Sequence, residues 1–208
     1  FHWHRPTHEP FICAERRKGQ GHPEFGYLRS AGSVLNVVGE KLRFYYQAAS
    51  GVDKHGNRDL YTGVSVQMAT LRRDGFVSMD ADGSGGTLTT RPVIFEGKRL
   101  FVNVDCPEGE LRVETLDRNG KEIRPFSKAN CQPVCADSTI HEVIWKGAVA
   151  LSALRRLPVR FKFHLRKGAL YAFWVSRGES GASGGYLAGG GPGFVGATDT
   201  VGKGAYAG

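Results

Sequence analysis

Between Val159 and Val175 (VRFKFHLRKGALYAFWV) apolar and polar side chains alternate on both sides of Lys167-Gly168. Period-two alternation around a glycine predicts two antiparallel strands joined by a tight hairpin. With Lys167 and Gly168 as the central turn residues, Leu165 faces Leu170, Phe163 faces Ala172 and Phe161 faces Trp174, all on one face that needs a cover. The opposite face then carries Arg160, Lys162, His164, Tyr171, Phe173 and Val175. A slip of one residue would exchange the two faces, so the apolar set defines the register. Burial contributes roughly 1.5–3 kcal/mol per large apolar side chain, which makes this hairpin the expected centre of a two-sheet core.

Similar short runs fill the rest of the chain. YLRSAG, SVLNVVG and KLRFYYQA predict three strands from Tyr27, the last two joined at Gly39-Glu40-Lys41, and GVSVQMATLRRDGF predicts a fourth after the polar loop Ser50 to Asp59. Four antiparallel strands in a row suit one propeller blade, and no second copy of the unit follows. Met79 to Pro92 (MDADGSGGTLTTRP) reads as the linker. PVIFEG, RLFVNVD, ELRVETLD and HEVIWKG then predict further strands, and a glycine-rich loop from Glu179 tapers into a loose tail. The patterning predicts an all-β fold, a blade-like set of strands before the linker and a two-sheet core around the Val159 to Val175 hairpin after it.

Composition alters this picture little. The 208 residues can bury a real core, and 40% hydrophobic with 23% charged residues is ordinary for a globular protein. A net charge of +8 favours acidic partners without bearing on fold. The chain opens at Phe1 rather than Met, so an upstream segment is expected, and no run reaches the length of a membrane span. Cys13, Cys106, Cys131 and Cys135 contain no Cys-x-x-Cys pair and read as free thiols, with one disulfide as the alternative.

The chemistry offered is sparse. His2, His4 and His8 have a possible ligand spacing, and Asp80, Asp82, Ser84 and Gly85 imitate the start of a calcium loop. Arg91 stands where that loop needs its glutamate, and neither group is assigned a metal. Gly181-Ala182-Ser183-Gly184-Gly185 satisfies a nucleophile-elbow pattern, but YLAGGGPGF cannot form the helix that must follow. RFKFHLRKG interleaves cations and aromatics as a nucleic-acid strand does, yet without an RNA-binding signature it reads as an amphipathic strand with solvated cations. Tyr171 and Phe173 beside His164 offer a flat surface to a sugar ring. Glycosidase chemistry needs two carboxylates, and before the linker only Glu24 sits ahead of an inner-strand candidate. No cofactor is implied.

The segments FHWHRP, GYLRSAGSVLNVVGEKLRFYYQAASG, VQMATLRRDGFVSMDA, GTLTTRPVIFEGKRLFVNVD and LSALRRLPVRFKFHLRKGALYAFWVS together resemble the carboxyl-terminal end of bacterial glycoside hydrolase family 32-like proteins, within the family 32, 43 and 68 group. The resemblance runs from Phe1 to about Phe194. It implies a five-bladed propeller followed by a sandwich, here a partial propeller over residues 1–80 (the last blade and the tail of the preceding one), an antiparallel β-sandwich over 81–194 and a glycine-rich tail over 195–208. Leu35, Val37, Val38, Phe44 and Tyr46 are then expected to leave an uncovered apolar patch on the blade. The catalytic carboxylates of such proteins lie on earlier blades, so none transfers to this chain. Tyr27, Arg29 and Ser30 match the cavity-facing strand of the closing blade by position. The partners implied are a carbohydrate substrate, fructosides or related glycans, and upstream blades of the same parent. Neither a membrane nor nucleic acid is expected as a partner, and an extracellular or periplasmic location is preferred to a cytoplasmic one. The competing expectation is a non-catalytic carbohydrate-binding or structural sandwich.

Overall fold

The computed structural model describes residues 8, 11–12, 27–57, 59, 61–148, 150–187 and 190–206. Among them the secondary structure is all-β, with ten strands, antiparallel sheets and two short 3-10 turns at Leu151–Leu154 and Gly202–Tyr206. The chain divides into two compact units, residues 1–34 with 44–69, and residues 35–43 with 70–208.

The amino-terminal sheet has the order β1-β2-β3, from β1 (Tyr27–Val38), β2 (Lys41–Ala49) and β3 (Val64–Arg72). Three strands form where four were expected, because the backbone stays extended through Gly32 and YLRSAG and SVLNVVG become one twelve-residue strand. In the first unit β3 turns Val64, Val66 and Met68 to solvent, 50%, 67% and 51% exposed, with Ser65, Gln67 and Ala69 on the other side. The exposed apolar row was expected instead at Leu35, Val37, Val38, Phe44 and Tyr46. Those side chains are half-buried or, for Val37, buried, and the amide of Val37 donates to Gly190 O.

The second unit contains the sandwich. One sheet has the order β4-β10-β6-β8, built from β4 (Met79–Ala81), β6 (Arg99–Asp105), β8 (Asp137–Glu142) and β10 (Gly168–Ser176). The other has the order β5-β9-β7, from β5 (Gly86–Thr89), β7 (Glu110–Leu116) and β9 (Arg160–Arg166). The stretch read as a linker supplies one edge strand to each sheet, so residue 80 lies inside β4. PVIFEG forms only a single bridge, Val93 to Val159. Leu100, Val102 and Val104 from one sheet and Leu111, Val113, Phe161, Phe163 and Leu165 from the other fill the space between them.

The hairpin expected at Val159 to Val175 does not form. β9 is paired on both sides, by β5 and β7, and β10 is paired on both sides, by β4 and β6. Neither keeps a free edge for the other, so the chain crosses between sheets at Lys167, whose φ is 50°. Gly168 serves close approach, because a Cβ there would lie 2.5 Å from Asp105 O. Phe161, Phe163, Leu165 and Leu170 point inward as expected. A register shift between Leu170 and Ala172 then reverses the parity of β10, putting Phe173 and Val175 against the core. Trp174 points to the opposite side of its sheet from that core, stacking on Phe101 at 5.9 Å and donating from Nε1 to Gly181 O at 2.9 Å.

The tail is part of the same unit. Asp199, 2% exposed, pairs with Arg73, 5% exposed, at 3.3 Å. The guanidinium of Arg73 also lies 5.1 Å from the ring centres of Phe194 and Tyr206, a cation–π arrangement on two sides. The amides of Val201 and Gly202 donate to Asp199 Oδ1, and the Tyr206 and Thr139 hydroxyls share a hydrogen bond of 2.7 Å. The loose tail expected from its glycines is thus held through Phe194, Asp199 and Tyr206.

Candidate functional site

The solvent-facing side of β5-β9-β7 gathers the polar half of the RFKFHLR alternation. Strand register sets Thr87, His164 and Arg112 side by side in one row, and Thr89, Lys162 and Glu114 in the next. Period two explains the rest, since Phe161, Phe163 and Leu165 take the core and leave Lys162, His164 and Arg166 on this side. His164 Nε2 donates to Glu114 Oε1 at 2.8 Å, a diagonal contact across the two strands, and Lys162 Nζ lies 3.3 Å from the same oxygen. Burial pushes the Glu114 carboxyl up, but the hydrogen bonds from His164 and Lys162 prevail and leave it below the usual carboxylate range.

Toward one end the row opens into a groove of about 450 Å³ lined by Ser84, Thr87, Arg112, Lys128, His164 and Arg166. Arg112 is steadied by Cys131 O at 2.8 Å and lies 3.6 Å from Glu110. The groove presents hydroxyl, imidazole and guanidinium donors on a rigid sheet. That composition suits hydrogen bonding to a polar ligand.

The other expected site residues lie elsewhere. Glu24 is outside the described residues, as are His2 and His4. Tyr27, Arg29 and Ser30 belong to β1, where Arg29 and Ser30 are exposed at successive, oppositely directed positions. Phe173 packs 5.0 Å from Phe163 and 6.0 Å from Phe161, inside the sandwich. Tyr171 carries the guanidinium of Arg72 at 4.8 Å from its ring centre, on the far sheet. His164, Tyr171 and Phe173 therefore do not make a common sugar platform. The bulge in β10 and the assignment of β9 and β10 to different sheets separate them.

The motifs set aside from the sequence have structural occupations. Ser183 Oγ and its amide both donate to Asp199 Oδ2 at 3.2 Å. Asp82 Oδ1 accepts from the amide and hydroxyl of Ser84, closing a turn. Cys106 and Cys131 are buried free thiols and Cys135 is an exposed one, with burial raising the first two above the ordinary thiol range. Among the described residues no group of three His, Cys, Asp or Glu side chains is gathered for a metal, and no helix is long and apolar enough to cross a membrane.

Sequence reasoning missed Glu114 and the Arg73–Asp199 pair. The partners of each are joined only by long-range register, 50 and 126 residues apart. The local sign available for Asp199 was Asp-Thr-Val-Gly, a turn in which the aspartate accepts from the following amides. No known protein family, curated protein or solved structure matches the chain.

Proposed function

We propose that the chain is the carboxyl-terminal part of a family 32-like glycoside hydrolase acting on fructosides or related glycans. In this reading β1-β2-β3 belongs to the closing blade of a propeller, the sandwich is its accessory module, and the acid–base carboxylates stand on other blades. The observation that carries it is the β3 row Val64, Val66 and Met68, apolar surface that the first unit leaves to solvent and a neighbouring blade would cover. The two buried carboxylates of the sandwich agree with an accessory role. Glu114 is bound to His164 and Lys162, and Asp199 to Arg73, so both serve packing.

The test compares the chain alone with the chain extended by the coding sequence before Phe1. The extended protein is expected to release fructose from fructans, and the chain alone to release none. Val66→Lys is expected to leave the chain alone unchanged and to lower the melting temperature of the extended protein, where a lysine would meet the adjoining blade. Hydrolysis by the chain alone, or no blade-like sequence upstream, overturns the reading.

The second reading, a non-catalytic glycan-binding sandwich, is favoured by the open polar row of Thr87, His164 and Arg112. Retention on immobilised fructan that is lost in His164→Ala supports it, and equal retention of both proteins contradicts it.

A further inference from the structure

At the end of the sandwich away from the His164 groove, a second open groove of about 550 Å³ is lined by Glu96, Lys98, Arg155, Arg156 and Arg177. Four cations share it with a single carboxylate. Glu96 takes hydrogen bonds from Arg155 at 3.0 Å and Arg156 at 2.9 Å, drawing two guanidinium groups together. Those bonds hold the Glu96 carboxyl below its ordinary range. No side-chain partner among the described residues engages Lys98 or Arg177.

The backbone beneath these side chains is tightly positioned. Gly97 is buried, and a Cβ on it would lie 2.2 Å from Val175 O, so glycine is what lets residues 96–98 lie against the end of β10 beside Arg177. Lys98 N donates to Ser176 O and Leu151 N to Lys98 O, at 2.8 and 2.7 Å. Leu151 and Leu154 anchor the loop in the core. Arg156 has φ 63°, a conformation that favours glycine, and its amide donates to Phe95 O at 3.1 Å. A guanidinium thus occupies a position where glycine fits the backbone better, and the strain is borne by a residue whose side chain is 76% exposed.

We propose that Lys98, Arg155, Arg156 and Arg177 bind an acidic polysaccharide, through sulfate or carboxylate groups repeated along the chain. Guanidinium groups match such oxyanions in a bidentate geometry, and the groove has room for more than one charged group. It carries no aromatic side chain, whereas single-stranded nucleic acid is held by stacking its bases. The choice of a polysaccharide among polyanions rests on the carbohydrate reading above.

The experiment is titration of the whole chain with heparin, with polygalacturonate, with a neutral fructan and with single-stranded DNA, at low and near-physiological salt. Salt-dependent binding of heparin, of polygalacturonate or of both is expected, and the two arms distinguish sulfate from carboxylate. Lys98→Ala with Arg177→Ala is expected to weaken that binding roughly ten-fold and to flatten its salt dependence. Arg156→Gly relieves the backbone, so its melting temperature should hold or rise while its affinity falls. Acidic-polymer binding without fructan binding upholds this site and counts only against the second reading, a sandwich that binds fructan by itself. Unchanged affinity in both variants, or tighter binding of DNA than of either acidic polymer, overturns the proposal.

Discussion

The two outer faces of the sandwich solve the same problem in opposite ways. On β5-β9-β7 the outward side chains are Thr87, Lys162, His164, Arg112 and Glu114, polar groups that satisfy one another or water. On β4-β10-β6-β8 the outward side chains include Phe101, fully buried, and Trp174 stacked on it. An aromatic outer face demands a second layer. The glycine-rich segment after Glu179 supplies it, with Gly181 against Phe101 and Ile140, and Tyr206 bonded to Thr139. Gly181 is needed there, since a Cβ would lie 2.8 Å from the Phe101 ring. One face is therefore available to ligands and the other is closed by the chain itself.

The closed face is broken most severely at its ion pair. Asp199→Ala leaves the buried Arg73 guanidinium without its carboxylate and is expected to cost about 3–5 kcal/mol, read by chemical denaturation. A loss below about 1 kcal/mol would mean that the tail is not held there.

The open face is less sensitive and depends on pH. Glu114→Gln should cost about 2 kcal/mol at neutral pH, because it replaces a charge-assisted acceptor of His164 and Lys162. The folded carboxyl titrates below its unfolded value of about 4.3, so its stabilisation is complete above that value. It is lost as pH falls through the lower folded value. The gap between wild type and Glu114→Gln should close in acid, and a gap independent of pH contradicts the pairing. Smallest of all, Thr87→Val on the exposed part of this face should shift stability by less than about 0.5 kcal/mol, checked by the same unfolding curves.

Much of this contrast was legible in the alternating residues, and the failures are local. The inward set Phe161, Phe163 and Leu165 follows directly from RFKFHLR, and so does the outward His164. β10 misled because period two breaks at the register shift between Leu170 and Ala172, which nothing in GALYAFWV announces. The hairpin itself failed because two adjacent strands with interior positions in different sheets look, in sequence, like partners. Met79 to Pro92 looked like a linker through its glycines and threonines, yet edge strands tolerate such residues since only one side is paired. The tail misled for a related reason. Composition registered its glycines but could not see the aromatic face that fixes Phe194, Asp199 and Tyr206 in place.

Amide hydrogen exchange across residues 180–206 tests the division between a closed and an open face most directly. Protected amides are expected at Gly184, Leu187, Asp199, Gly202 and Lys203, which donate to Asp199 O, Ala197 O, Gly185 O, Asp199 Oδ1 and Ser180 O respectively. Exchange of all five at the rate of an unstructured chain, while the sheet amides of β6 and β10 stay protected, would contradict it.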